Sequence, residues 1–565
     1  PDVAYLHTQT RHEDAQVCYA LCYRVEKNRR EAAHSPIRIE KEDTVGFSVG
    51  IDVKPGDTLS LETYVAIAST LYYERGTLTD TCQTLAHEAR TEGWDALCEQ
   101  HRRAWEDIWR EADVTIEGDP EAQQGIRYCI FQLYQTYRGD DPRLNIGPKG
   151  FTGEKYGGNT YWNTELCCVP YFLLSTSRPI AEKLLRYRYN QLPQAIANAR
   201  TLGIGGGAAL FPQVTSNGYE CHNEWEITFE EIHRNNIIVH AIIQHTRVTG
   251  STLYLAMYGL EVMIAVSRYW SQRVSFSEPR QQYVILGVTG PDEYQNNVDN
   301  NWYTNYSCVQ SLKSTLDSAR LIASRHPEDY TRVCRKTGFD AEREGAHWED
   351  IIRRMYLPED KERGVFVQNE GFMDKELQDT SAIPPEERPL NQHWSWDRIL
   401  RSCYIKQADV LLGLYLYGQH FDTDTIRRNF RFYAPMTVHE SSLSPHIHAI
   451  LAARIGDMEQ AYDLFLRATR MDLDDYNNEA EQGLHVTSMP GAWMAIVRGF
   501  LQEDVIDNTL CLAPLLPERW TSYTVRLNFR QRTLRVHVTK ESTDITLLEG
   551  KPLTIRLAGK EQVVS

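Results

Sequence analysis

The sequence contains no apolar run near the roughly 20 residues that crossing a bilayer requires. No charged and apolar leader with a small-residue cleavage site opens it either. Both absences point to a cytoplasmic protein with no membrane partner. Basic charge is also scarce: 60 Lys and Arg stand against 77 Asp and Glu, for a net charge of −17. A polyanion needs a basic footprint, so nucleic acid is excluded as a partner, and any phosphate must meet a local pocket. The 12 cysteines include no CxxC pair and one vicinal pair, Cys167-Cys168. No zinc framework is therefore expected, and most cysteines should be reduced core residues.

What is present is the composition of a globular protein, 42% hydrophobic and 24% charged, with 31 Tyr and 12 Trp. At 565 residues it is too long for one ordinary core. From Val17 to Ile67 the text alternates, as in VCYALCYRVEKN, and reads as part of an antiparallel β-domain. Because Pro1-Asp2-Val3-Ala4-Tyr5 already reads as strand, the natural amino terminus is expected upstream. From Thr79 to Glu111 apolar residues recur at helical spacing among charges, a helical linker. From about Asp119 to Phe500 amphipathic helical segments alternate with loops rich in Gly, Asn, Asp, Trp and His, which suits an α/α toroid with its site at one end. Alternation returns after Cys511, for a small β-domain. The expected boundaries are 1–75, 76–118, 119–510 and 511–565.

Four loops hold the informative polar residues. In GEKYGGNTYWNTELCC, Trp162 offers a stacking face while Asn163 and Glu165 offer groups for vicinal hydroxyls. A helix cap at Asn163 with core aromatics explains the same text. In ECHNEWEITFEEIHRNN, Glu220, His222, Glu224, Glu226, Glu230, Glu231 and His233 crowd a short span whose spacing matches neither HExxH nor another ligand pattern. A metal site is therefore not expected there, and a sugar-binding loop is. In GVTGPDEYQNNVDNN, Gly290-Pro291-Asp292 is a turn that projects Glu293, with Tyr294, Asn297 and Asn300 at hand to orient it. A carboxyl in a desolvated pocket keeps its proton, as a general acid must. In HESSLSP and LHVTSMPGAW, His439, Ser441 and Ser442, then His485, Thr487 and Ser488, supply donors with no carboxylate close by in the second segment. Such donors suit an oxyanion, although hydroxyls at helix starts are commonly caps.

Taken together these segments resemble glycoside hydrolase family 65, the inverting disaccharide phosphorylases. The likeness runs from Gly153 through ECHNEWEITFEEIHRN, GVTGPDEYQNNVDNNWYTN, LNQHWSWDRILRSCYIKQADVL, HESSLSP and LHVTSMPGAW to the terminal strands. It implies a multidomain, mainly α protein: an (α/α)6 barrel catalytic domain flanked by an amino-terminal β-sandwich, here partial, and a small carboxyl-terminal β-domain. It implies phosphorolysis of an α-glucosidic disaccharide to β-glucose 1-phosphate, with Glu293 as general acid and Glu231 as the competing candidate. The sugar falls to Trp162, Asn163, His222, Glu224, Trp225, Glu231, Lys406 and Gln407. Inorganic phosphate, a co-substrate rather than a cofactor, falls to His485, Thr487 and Ser488, with His439, Ser441 and Ser442 as neighbours. No cofactor or metal is implied, and a homodimer is the usual assembly.

The sequence departs from the family pattern twice. Asn163 stands where Asp is usual, and Ala434 where Glu is usual. Both changes remove a carboxylate from the expected sugar pocket, so altered substrate choice is expected, extending to an acidic or phosphorylated disaccharide. The alternatives are a phosphorylase for another α-glucoside such as trehalose 6-phosphate, nigerose or kojibiose, a hydrolase on the same scaffold, and a non-catalytic sugar-binding protein.

Overall fold

The computed structural model describes residues 3–11, 14–221 and 227–565. The chain divides into two compact units, Pro1–Arg110 and Glu111–Ser565. In the first, the alternating text makes a long strand, Gln16–Lys27, flanked by Ala4–Gln9 and Leu59–Ser69, both antiparallel to it. Successive side chains point to opposite faces. Cys18, Ala20 and Cys22 therefore share one face, and with Tyr64 and Ala68 they pack on Leu78, Cys82 and Ala86. Those three recur every fourth residue on the helix Leu78–Glu92 and form one stripe. Small residues on both sides bring the backbones close: the Cys82 thiol donates to Cys18 O at 3.1 Å and the Cys22 thiol to Ala86 O at 3.0 Å. The opposite sheet face carries Tyr19, Leu61, Val65 and Ile67, all exposed.

The second unit is mainly helical, and its helices are of two kinds. Pro327–Thr337, Arg343–Arg354, Thr423–Tyr433 and Met458–Arg470 bury a single stripe. Six segments that start from a loop, Val169–Ser175, Arg234–Thr249, Val410–Leu416, Ser444–Ile455, Met489–Met494 and the first half of Trp302–Arg325, are buried on nearly every side; so is Leu260–Arg273, which continues the π-turn Leu255–Gly259 and is not one of the six. A helix that is apolar all round must be enclosed, whereas a one-sided helix lies outside. Met458–Arg470 accordingly packs on Ser444–Ile455, and Pro327–Thr337 and Arg343–Arg354 pack on Trp302–Arg325. Among the described residues no helix is long and apolar enough to cross a membrane.

Each of the six enclosed segments begins directly after a loop that carries expected site residues. Asn163 precedes the π-turn Thr164–Cys168 that leads into Val169–Ser175. His233, Asn301, Asp409, Leu443 and Ser488 stand immediately before the other five. Asn301 acts as a side-chain cap, its Oδ1 accepting from Thr304 N at 2.8 Å. Pro170, Pro445 and Pro490 sit in first turns, where a missing N–H costs nothing.

The carboxyl-terminal strands begin at Asp504 rather than 511, because Asp504–Ile506 pairs antiparallel with Thr509–Leu512. Thr509–Leu512 runs parallel to Leu553–Leu557. A second sheet is the meander Ser522–Phe529, Arg532–Thr539 and Thr543–Glu549, with Thr115–Glu117 on its free edge. The expected linker therefore ends in a strand of this sheet. Tyr523, Val525, Leu527, Leu534 and Val536 alternate inward and are buried. The two-residue turn Arg530-Gln531 has both φ values positive, matching the twist of the hairpin it closes.

Candidate active site

The six loops touch one another in sequence and close a ring. Trp162 meets the His233 ring edge-on at 5.2 Å between centroids. Thr289 donates to Glu230 Oε2 at 2.6 Å. Lys406 Nζ donates to Glu293 Oε2 at 2.8 Å, and Asn301 to Asp409 at 2.9 Å. Ser441 donates to Gln407 Oε1, and Ser442 and Ser488 share a hydrogen bond of 2.7 Å. Asn163 Nδ2 reaches Thr487 Oγ1 at 3.5 Å, which returns the ring to its start. Residues from positions 162 to 488 thus assemble at the amino-terminal ends of the six enclosed helices. Helix amino termini carry unsatisfied N–H groups and partial positive charge.

The turn bearing Glu293 is fixed from below. Gly290 is required by close approach, since a Cβ there would overlap Asp409 Oδ2 and Asn301 Nδ2. Asp292, fully buried, accepts from Lys406 N at 2.8 Å, Gln368 Nε2 at 2.8 Å and Tyr294 N at 3.2 Å. Its own N–H donates to Asp409 at 3.2 Å. Burial pushes the Asp292 carboxyl up to about 7 and the Asp409 carboxyl up to about 8. With Asp292 pinned, the next side chain, Glu293, is left 27% exposed against Lys406.

Glu231 is the second carboxyl of the site, and it is only 3% exposed. Burial, then the nearby charge of Glu293, raises its pKa well above the usual carboxylate range, although Arg234, Lys406 and a hydrogen bond from Gln213 oppose this. Burial disfavours the charge of Lys406, but Glu293, Tyr156 and Glu231 outweigh it and hold the ammonium above its ordinary value. Burial and the neighbouring Arg234 push His233 down to about 3, so its ring is neutral. Among the described residues no group of three or more His, Cys, Asp or Glu is disposed to hold a metal ion.

The structure gives several expected site residues partners that the sequence did not show. His485 does not lie in a loop without carboxylates: its Nδ1 meets Asp472 at 2.7 Å and its Nε2 meets Glu479 at 3.2 Å. His439 turns its Nδ1 to Ser444 Oγ at 2.8 Å instead of joining Ser441 and Ser442. Glu165 is buried and forked to Arg188 at 2.7 and 3.0 Å, so it cannot grip a sugar. Tyr294 donates to Glu440, and Asn300 braces Ile285 N and Asn305, so both shape the loop rather than face the cleft. Ala434 is not in the ring. It lines a separate cavity of about 870 Å³ with Arg388, Arg431, His439 and Arg467. His222, Glu224 and Trp225 lie outside the described residues.

Four residues escaped the sequence reading. Tyr156, at φ 70 beside Gly157 and Gly158, interacts electrostatically with Lys406, Glu479 and Glu293. Lys149, Asp472 and Glu479 converge on His485. Only Tyr156 left a signal, as the aromatic of a glycine-rich turn.

Facing carboxyls, a lysine, and loops of aromatic, amide and hydroxyl side chains at one end of a helical domain are the features of a carbohydrate-active protein. The chain matches the glycosyl hydrolase family 65 amino-terminal domain over residues 1–108, the central catalytic domain over 127–494 and the carboxyl-terminal domain over 504–564. It belongs to that family. It is 47% identical over 496 residues to a maltose phosphorylase of Bacillus subtilis, covering 87% of this chain and 64% of that one. An α,α-trehalose phosphorylase of Thermoanaerobacter brockii is 35% identical over 516 residues, covering 91% of this chain and 66% of that one. A solved structure described as a putative kojibiose phosphorylase from human microbiome superposes with a TM-score of 0.88 at 30% identity, over 100% of this chain and 75% of that one. The chain thus spans about two thirds or less of the length of these curated relatives.

Proposed function

We propose that this chain carries out the inverting phosphorolysis of a maltose-like α-glucosidic disaccharide, releasing β-glucose 1-phosphate and a free sugar. The closed ring of six loops at the amino ends of six enclosed helices is the observation that carries the reading. It fits the inner layer of an (α/α)6 barrel with its site at one mouth. The relatives differ in the disaccharide they are named for, maltose, trehalose or kojibiose. The high identity to the maltose enzyme favours a maltose-like substrate.

Glu293 protonates the interglycosidic oxygen as the bond to the anomeric carbon breaks, and phosphate attacks that carbon from the opposite face. The proton ends on the released sugar hydroxyl. Proton donation leaves Glu293 as a carboxylate, which the Lys406 ammonium at 2.8 Å stabilises. Geometry ranks Glu293 above Glu231, because a proton donor must reach the reacting oxygen and Glu231 is enclosed. Burial favours the protonated form of Glu231, which also makes it a poor base for water. An anionic nucleophile needs no such base. Ser441, Ser442, Thr487 and Ser488 stand at two helix amino termini, a setting that attracts phosphate. Trp162, Asn163 and Lys406 are assigned to the sugar side, whereas Gln407, buried and bonded at both ends of its amide to Pro291 O and Ser441, braces the loops rather than gripping the sugar as expected.

Sugar release from maltose with and without inorganic phosphate tests the reading. Turnover that needs phosphate is expected, and equal glucose release in its absence would assign the chain to hydrolysis instead.

A further inference from the structure

His485 sits among two carboxyls and a lysine, Asp472, Glu479 and Lys149. Asp472 is committed to the backbone and ring together: one oxygen accepts His485 N at 2.8 Å and the other meets Nδ1 at 2.7 Å. The second ring nitrogen meets Glu479 Oε2 at 3.2 Å. Burial opposes the imidazolium of His485, but the hydrogen bonds to Asp472 and Glu479 outweigh it and raise the ring above its ordinary value, which favours the form with both protons. The same Nε2 lies 3.2 Å from Lys149 Nζ, which is also bound to Gly483 O at 2.7 Å. Lys149 is 2% exposed. Two cationic donors this close repel unless an anion lies against both. Asp472 and Glu479 both act on Lys149, Asp472 the more strongly, but Asp472 also anchors His485 at both oxygens and its side chain is 4% exposed against 21% for Glu479, so Glu479 is the anion free to be exchanged.

The cluster also borders the cleft. Tyr156 feels Lys406, Glu479 and Glu293 together, and Thr487 and Ser488 follow His485 by two and three residues. Glu479 sits between Asn478, at φ 54, and the turn Ala480–Gln482 that ends at Gly483, at φ 103. Its position depends on that turn and on His485, whereas Asp472 is anchored at both oxygens.

We propose that Glu479 is the resident counter-ion of an anion seat formed by His485 and Lys149, and that inorganic phosphate displaces it on binding. The proposal rests on the phosphorolysis reading and adds a residue that sets phosphate affinity by competing for its seat. Asp472 is then a positioning residue that holds His485 whichever anion is present.

The test is calorimetric titration of the 565-residue chain and its Glu479→Gln variant with inorganic phosphate, with thermal unfolding of both. The amide keeps the shape of the carboxyl but not its charge, so phosphate should bind roughly five- to tenfold more tightly. Glu479→Asp, which keeps the charge on a shorter arm, should fall between the two. Unchanged or weaker phosphate binding by the Gln variant, while the parent binds phosphate, would overturn the proposal and leave the phosphorolysis reading standing. A parent that binds no phosphate would overturn both.

Discussion

Lys406 Nζ lies 2.8 Å from Glu293 Oε2, and 113 residues of chain separate the two. The pair is set from both sides, because Asp292 accepts the Lys406 backbone N–H and so ties the acid's turn to the lysine's. Lys406→Met should therefore slow turnover by about ten- to a hundredfold, the worth of a charged hydrogen bond of roughly 1.5–3 kcal/mol. Steady-state kinetics check it, and a loss confined to KM for phosphate would mean that Lys406 serves the nucleophile instead.

Of the two substrates, Ser488 and Ser441 are expected to contact phosphate and not the disaccharide. Ser488→Ala should raise the apparent KM for phosphate several-fold more than that for the disaccharide. Equal losses toward both substrates would assign the Ser442–Ser488 hydrogen bond to loop structure.

The two departures from the family pattern now separate. Asn163 reaches Thr487 inside the ring, while Ala434 lines another cavity. Asn163→Asp should change the ranking of disaccharide substrates, and Ala434→Glu should leave that ranking as it is. A panel of disaccharides with phosphate reads the difference, and a shift caused by Ala434→Glu would contradict the placement.

Glu165 and Arg188 form a buried pair, with side chains 0% and 2% exposed. Removing one partner of such a pair costs about 3–5 kcal/mol, because the other charge is stranded. Glu165→Ala should lower the melting temperature markedly. Glu165→Gln keeps an acceptor for Arg188 and should cost less, which separates the lost charge from the lost volume.

Buried Asp409 supplies a pH signature. The folded state keeps its proton up to about 8, while the ordinary value is 3.8. Between those values the folded state binds more protons than the unfolded chain, so stability falls as pH rises. Asp409→Asn, which keeps an acceptor oxygen for Asp292 N, should flatten the fall of melting temperature between about pH 5 and 8. An unchanged slope would show that Asp409 is already ionised.

Much of this was legible in the sequence because it is local. Alternation in YTVRLNF and LRVHVT gave the carboxyl-terminal strands. The turn GPDE announced a projecting side chain at Glu293, and the polar residues before the enclosed helices marked the loops that close the ring. Long-range partners were not legible. Lys149 and His485 are 336 residues apart, and nothing in HVTS shows that Asp472 and Glu479 flank its histidine. Glu165 and Asn163 look alike as polar residues beside Trp162. Only the position of Arg188 across the turn makes one structural and leaves the other in the ring. The left-handed backbone of Tyr156 was hidden because such conformations are read from glycine, and its neighbours supplied the glycines.

Two questions decide the mechanism: which carboxyl gives the proton and what attacks the sugar. Phosphorus NMR of maltose with inorganic phosphate follows both at once, in the parent chain, Glu293→Gln and Glu231→Gln. The parent should give β-glucose 1-phosphate, Glu293→Gln should form it several orders of magnitude more slowly because an amide cannot donate the proton, and Glu231→Gln should still give measurable product. Full activity in Glu293→Gln with none in Glu231→Gln, or glucose without any sugar phosphate, would contradict that mechanism.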